Sequence, residues 1–252
     1  MKVTPFRTPK ILPGAITIND LLDDTLTEVT QRSIVVVTSK VLALCENNVV
    51  PIEGTDRVKL LQDEADLYYV VNPDGDHEYN FTIKQRTLIP ASGIDTSNGD
   101  GNYILWPKDS IASANAIHAH LREKYGVDEV GVIITDSTIG LSRWGTLGIA
   151  IGHSGFEPVK NYIGQPDIFG RPMMLSKANI AGGLAAAAVF VMGEGAEQTP
   201  IAVIEDLPSV EFWKGEDGGN AAGIYYISPL DDDPFKPFFK AVTWKRGGKY
   251  KD

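Results

Sequence analysis

Two stretches of the chain are apolar almost without interruption: residues 33–38 (SIVVVT) and 130–135 (VGVIIT). A short β-branched run bounded by polar residues predicts a strand buried on both faces. Residues 147–151 and 201–204 predict two more short strands, and the alternation over 81–89 predicts another. The apolar stretch 40–50, which follows the first strand closely, reads as a strand containing Cys45. Helical spacing marks 57–66 and the segment opened by Pro107 and running to about Tyr125. Ile111, Ala114, Ile117 and Leu121 share one face of that helix, and Gly126 is its C′ residue. Residues 178–192 (ANIAGGLAAAAVFVM) predict a buried helix. Gly182 and Gly183 weaken it by ~1–2 kcal/mol relative to alanine, so close packing is expected there.

Polar and glycine-rich segments at 72–76, 91–101 and 213–221 predict turns and loops. Strands and helices do not alternate regularly. The class this predicts is α+β with mixed sheets.

Composition narrows the function. The chain has 252 residues, 43% hydrophobic and 22% charged, as in a globular protein. Its net charge of −10 argues against coating nucleic acid or an anionic membrane. The acidity is concentrated in 53–80 and 205–235, which are expected to be solvated surface. One cysteine excludes an internal disulfide and fits a reducing compartment. The N-terminal residues carry no signal-peptide pattern and no window is long enough to span a bilayer, so a cytoplasmic location is expected.

Common site signatures are absent: there is no P-loop, no G-x-G-x-x-G, no H-E-x-x-H and no G-x-S-x-G. His118 and His120 lie two apart on a predicted helix, so they point to different faces and cannot chelate together. They read as packing or solvent residues, and Cys45 reads as an inert buried thiol. Three oxygen-rich spots stand out: 93–98 (GIDTSN), 135–137 (TDS) and 193–198 (GEGAEQ). Carboxylates and hydroxyls on the ends of rigid elements suit a hard cation such as Mg2+, which takes one or two carboxylates beside substrate phosphates. Each spot alone reads more readily as a turn, a cap or a solvated acid than as a metal ligand. Lys40, Arg143 and Arg171 are candidate phosphate partners near small-residue turns.

In order along the chain, these pieces resemble one family. Thr38-Ser39-Lys40 with Glu46, then Ser92 to Asn98, then Ile133 to Ser137, then Arg143, Gly145 and Gly148 to Gly152 all match. Asp167 to Arg171, Ala185 to Ala188 and Val191 to Gly193 complete the set. Over roughly residues 5–208 the chain is similar to the F420-0:γ-glutamyl ligases, a family with a folate-associated branch.

The resemblance implies a catalytic domain over 1–208 and a C-terminal extension, 209–252, packed on it. It implies a two-lobed fold and an intertwined homodimer. It also implies a GTP-dependent (or ATP-dependent) ligase using Mg2+ or Mn2+ and K+. Such an enzyme phosphorylates an acceptor carboxylate, on F420-0 or folate, and L-glutamate's amine attacks the acyl phosphate. By motif, Asp95, Asp136, Ser137 and Glu194 stand at metal-ligand positions. Pro9, Lys10, Ile11, Leu12, Ser39, Lys40 and Asn98 stand at nucleotide contacts. So does the run Met192, Gly193, Glu194, Gly195, Ala196, Glu197, Gln198 and Thr199. Lys40 and Arg143 would offset charge developing in phosphoryl transfer.

The chain also departs from the pattern. Ser137 replaces the usual Thr and Glu194 the usual Gln. Leu44 replaces the second lysine of an S-K-x-x-S-K run. Residues 138–142 lack one arginine, the Pro and the Trp, and Gly182-Gly183 replace an acidic pair. These changes tilt the acceptor toward folate. A catalytically silent nucleotide- and metal-binding homologue is the competing reading, and a ligand-free structural partner is a third.

Overall fold

The computed structural model describes residues 1–71, 79–140, 142–213 and 233–250. The chain begins with β1 (Lys2–Phe6), α1 (Ile18–Thr25), β2 (Ser33–Thr38), α2 (Ser39–Cys45), β3 (Val49–Pro51) and α3 (Arg57–Glu64). Next come β4 (Leu67–Val71), β5 (Tyr79–Lys84), β6 (Thr87–Pro90), a 3₁₀ turn (Ala91–Gly93), β7 (Asn102–Ile104) and α4 (Ser110–Tyr125). Then follow β8 (Val130–Ile139), β9 (Thr146–Ser154), β10 (Val159–Asn161), β11 (Lys177–Asn179), α5 (Ile180–Met192) and β12 (Ile201–Glu205). A short helix, α6 (Lys236–Lys240), and β13 (Lys245–Arg246) close the described chain.

The two continuous apolar runs, β2 and β8, lie side by side and parallel at the centre of a five-stranded sheet ordered β1-β12-β2-β8-β9. Every other pairing in that sheet is antiparallel. Both faces are covered, which is why β2 carries no polar alternation. Val35 and Val37 face α1 and α4 through Leu21, Leu22, Ala114, Ile117 and Leu121. Ile34 and Val36 face α5 through Ala181, Leu184, Ala185 and Ala188. A second, antiparallel sheet is ordered β13-β4-β5-β6, and β3-β7 and β10-β11 are two-stranded. The mixed α+β class is therefore as the sequence predicts.

β9 contains the strand expected at 147–151 and runs on to Ser154. Its pairing with β8 slips between Ile134 and Thr135: Ile134 opposes Gly152, and Thr135 opposes Ala150. Ile151 is thus an extra residue, a β-bulge. Before the bulge, Gly148 and Ala150 face α5. After it, Gly152 packs on the Ser110 backbone of α4, and His153 turns toward Phe156 and Trp213.

Other expectations are corrected. Residues 39–45 form a helix, not a strand, because Thr38 caps it: its Oγ1 accepts from Val41 N–H at 3.4 Å. Cys45 is therefore helical, and burial pushes its thiol up to about 11, as befits an inert group. The strand expected over 81–89 is a hairpin. Gln85 and Arg86 at its turn have φ of 48° and 62°, the left-handed pair that a tight hairpin turn requires. α4 starts at Ser110, capped by Asp109 through Ile111 and Ala112 N–H, rather than at Pro107. β8 runs on to Ile139, which places Asp136 and Ser137 inside the strand. The turn expected at 72–76 and residues 214–221 of the expected loop lie outside the described residues. Among the described residues no helix is long and apolar enough to cross a membrane.

Candidate active site

At the carboxyl ends of the parallel pair β2–β8 lies a cavity of about 1050 Å³, where open α/β sheets commonly hold ligands. That volume is at the upper end of the range for a single small ligand. Its wall is built from segments remote in sequence. Thr38, Ser39 and Lys40 come from the β2–α2 junction, and Asp95, Ser97 and Asn98 from the loop before β7. Asp136 and Ser137 come from β8, residues 192–199 from the C-terminal end of α5, and Pro9, Lys10, Ile11 and Leu12 from the segment after β1.

The loop carrying Asp95 is held in an unusual backbone conformation. Ala91, Ser92 and Gly93 all have positive φ. Two buried hydrogen bonds maintain it: Ser92 Oγ donates to the Leu61 carbonyl, and Ser92 N–H donates to Thr82 Oγ1, each at 2.7 Å. Asp95 then accepts Ser97 N–H at 2.6 Å and faces the Lys40 ammonium at 2.7 Å. Lys40 also donates to Ser97 Oγ at 2.7 Å. Burial acts to raise the Asp95 pKa, but the Lys40 hydrogen bond, Ser97 N–H and the Lys40 charge outweigh it, so the carboxyl sits below its usual value. Asn98 Nδ2 donates to the Gly195 carbonyl at 3.3 Å, joining this loop to the segment after α5.

Asp136 is in the opposite state. Burial pushes its pKa up to about 6, and the charge of Asp95 adds to the rise. Hydrogen bonds from the Trp106 indole, Ser137 N–H and Ser39 oppose it without cancelling it. Alternation along β8 puts Asp136 on the face of Ile134, toward Trp106, and Ser137 on the α5 face. There Ser137 Oγ donates to the Glu194 carboxylate at 2.8 Å, and Thr146 Oγ1 donates to Glu194 Oε1 at 3.1 Å. Asp95 and Asp136 thus share one side of β8, and Glu194 lies on the other. Among the described residues no group of three or more His, Cys, Asp or Glu side chains is placed to hold a metal.

The donor chemistry nevertheless suits a hard divalent cation held by Asp95 and Asp136, because such ions take one or two carboxylates and fill the rest of their shell with water and phosphate oxygens. Among the described residues, the cavity wall carries the carboxylates of Asp95, Asp100, Asp136, Glu194 and Glu197 against the ammonium groups of Lys10 and Lys40 alone. An anionic ligand in such a wall needs an added cation.

Two basic candidates are not brought in. Arg143 sits at the exposed β8–β9 turn, outside the lining, its guanidinium donating to the Ser142 carbonyl at 2.9 Å. Arg171 is exposed in the β10–β11 connection, where its N–H closes a turn on Asp167. His120 pairs with Asp23 at 2.8 Å between α4 and α1, a packing role as expected. Sequence reasoning missed Trp106 and Thr146, and gave Ser97 no role of its own within the 93–98 spot. Only Trp106 carries a usable signal, since a buried indole N–H needs a partner.

The model of the F420-0:γ-glutamyl ligase family matches residues 6–206. This chain belongs to that family. Curated relatives named coenzyme F420:L-glutamate ligase include the Methanococcus maripaludis protein, 32% identical over 82% of this chain and 86% of its own length. The Methanosarcina barkeri protein is 33% identical over 70% of this chain and 74% of its own. The Methanopyrus kandleri protein is 35% identical over 63% of this chain, and that match spans 62% of the relative's length. The match to the Methanosarcina mazei protein spans 49% of that relative. Within the family frame, the cavity gathers every nucleotide and metal position that the motifs imply, and leaves out Arg143.

Proposed function

We propose that this chain is a nucleotide-dependent γ-glutamyl ligase joining L-glutamate to a carboxylate of F420-0 or a folate. The observation that carries this reading is the convergence of Lys40, Asp95, Asp136 and the Met192–Thr199 segment on one cavity in a member of this family. GTP, or ATP, would lie along Pro9–Leu12, Ser39 and Asn98, with its phosphates toward Lys40. A carboxylate oxygen of the acceptor attacks the γ-phosphorus, and the nucleoside diphosphate leaves. The amine of glutamate then attacks the acyl carbon, phosphate leaves, and the nitrogen loses a proton. Mg2+ or Mn2+ bound at Asp95 and Asp136 would supply charge neutralisation to the phosphates. Lys40 releases Asp95 to that cation and turns its ammonium to the transferring group. Asn98 holds the two walls of the site together. Leu44, an apolar wall residue, favours an acceptor with little anionic character there. K+, a homodimer and a cytoplasmic location complete the proposal. The dimer is supported by the large apolar side chains of Trp144, Ile168, Phe169, Leu175 and Phe190, which stand exposed and would gain from being covered.

The test is glutamate addition. The protein is incubated with glutamate, Mg2+ or Mn2+, K+, GTP or ATP, and either F420-0 or tetrahydrofolate monoglutamate, and products are weighed by mass spectrometry. Extension of either acceptor is expected, and its loss in Asp95→Ala and Asp136→Ala. A second reading, a nucleotide-binding homologue without ligase activity, is favoured by the placement of Arg143 outside the cavity. It wins if nucleotide binds and no acceptor is extended.

A further inference from the structure

One short segment ties together two of the cavity's carboxylates, Asp95 and Asp136, and nothing in the proposed reaction gives it a role. Ile104, at the end of β7, exchanges backbone hydrogen bonds with Asp95. Asp95 N–H donates to the Ile104 carbonyl at 3.0 Å, and Ile104 N–H donates to the Asp95 carbonyl at 2.8 Å. Two residues on, the Trp106 indole Nε1–H donates to Asp136 Oδ2. The backbone of one acid and the side chain of the other thus hang from residues 104–106.

The indole itself cannot shift. Trp106 is 1% exposed and belongs to the core beneath α4. Its carbonyl accepts Asn48 Nδ2 at 2.6 Å. Its ring lies so close to Gly93 that a Cβ there would come within 2.1 Å of Nε1. The hydrophobic packing needs only an aromatic ring of this size. The nitrogen is a donor with a single hydrogen, and its partner is a carboxylate that burial leaves short of compensating charge.

We propose that Trp106 is a positioning residue: with the Ile104–Trp106 backbone, its indole N–H fixes the spacing and orientation of the Asp95 and Asp136 carboxylates for a divalent cation. This rests on the ligase reading, in which those two acids hold the metal.

The experiment measures Mn2+ binding by the full chain, by electron paramagnetic resonance, with and without GTP. Trp106→Phe keeps a ring and removes the N–H. The Mn2+ Kd is expected to rise about tenfold, the scale of one hydrogen bond to a charged group. Affinity for GTP without metal stays the same. In an Asp136→Asn background the same substitution has no further effect on the residual Mn2+ affinity, because Trp106 acts through Asp136. Unchanged Mn2+ affinity in Trp106→Phe, or an equal loss in the Asp136→Asn background, overturns the proposal. Should Trp106→Phe fail to fold, indole N–H resonances of the unsubstituted chain provide the readout. Mg2+ should move the Trp106 signal, assigned by elimination among the four tryptophans, and an unmoved signal at saturating Mg2+ overturns the assignment. The two readings fail differently. Mn2+ binding that depends on Trp106, without glutamate addition to any acceptor, removes the ligase and keeps the positioning role. No Mn2+ binding at all removes both.

Discussion

Lys40 and Asp136 show how much a single side chain's surroundings decide here. Lys40 neutralises Asp95 while Asp136, on the same side of β8, has no cation of its own among the described residues. Lys40→Met should therefore lower the rate of glutamate addition by about 10²–10³-fold, the range seen when one preorganised charge-stabilising donor is removed, with the fold intact by circular dichroism. His153 makes a different, purely structural prediction. It is buried between Phe156 and Trp213, and burial lowers its pKa from 6.5 to about 4. The unfolded chain binds a proton there below pH 6.5, and the folded chain does so only near pH 4. Stability is then complete above 6.5 and falls as pH drops from 6.5 toward 4. By pH 5 this one group should cost about 2 kcal/mol. His118 shifts the same way through burial and the nearby Arg122 charge. Urea unfolding at pH 7 and pH 5 measures the loss, and His153→Phe should remove part of it.

At the scale of elements, the smaller sheet is fastened by ions. Lys84 of β5, 4% exposed, meets Glu64 at the end of α3 at 2.7 Å, and Lys249 reaches the same carboxylate at 3.2 Å. Glu64→Gln leaves Lys84 buried without its counter-charge and should cost about 3–5 kcal/mol in urea unfolding. Replacing both partners, as Glu64→Leu with Lys84→Met, should cost much less. Helix–strand contact in the larger sheet depends on Gly152, where a Cβ would stand 2.4 Å from the Ser110 carbonyl oxygen. Because backbone cannot give way cheaply, Gly152→Ala should destabilise by about 1–3 kcal/mol, the usual cost of overpacking. These elements also show what the sequence discloses. β2, β8 and α5 are legible because burial on all sides leaves a plain apolar run. α2 is not, since its Thr38 cap is a one-residue signal beside a five-residue apolar run, Val41 to Cys45, that suits either conformation. The phase slip in β9 is invisible because Ile149 and Ile151 satisfy either register. The site is legible by motif where a short run of sequence carries the side chains together, as at 38–40, 95–98, 135–137 and 192–199. Motif similarity groups Glu194 with Asp95 and Asp136; it lines the same cavity, on the side of β8 that carries Ser137 and beside Thr146, a placement that the spacing of motifs does not disclose.

For the whole molecule, the cavity predicts linkage between ligand and stability. GTP with Mg2+ at about a hundred times its Kd should add about 2.7 kcal/mol, visible as a raised Tm that neither component alone reproduces. The exposed apolar residues of the β8–β9 turn and the β10–β11 connection predict a dimer in sedimentation, and Phe169→Asp with Ile168→Asp should shift it toward monomer. The bulge at Ile151 has a consequence for how this chain tolerates changes of length. β9 is two strands spliced out of phase, the first half keyed to α5 and the second to α4. A residue inserted near Gly145, whose surroundings are open, lengthens a turn and leaves both halves in place. A residue deleted at Ile151 removes the splice. Thr135 would still oppose Ala150 and Ile134 would still oppose Gly152, so the ladder becomes regular and His153 and Ser154 keep their faces: β9 can shed this one residue, where the loss of a neighbour would turn part of the strand inside out.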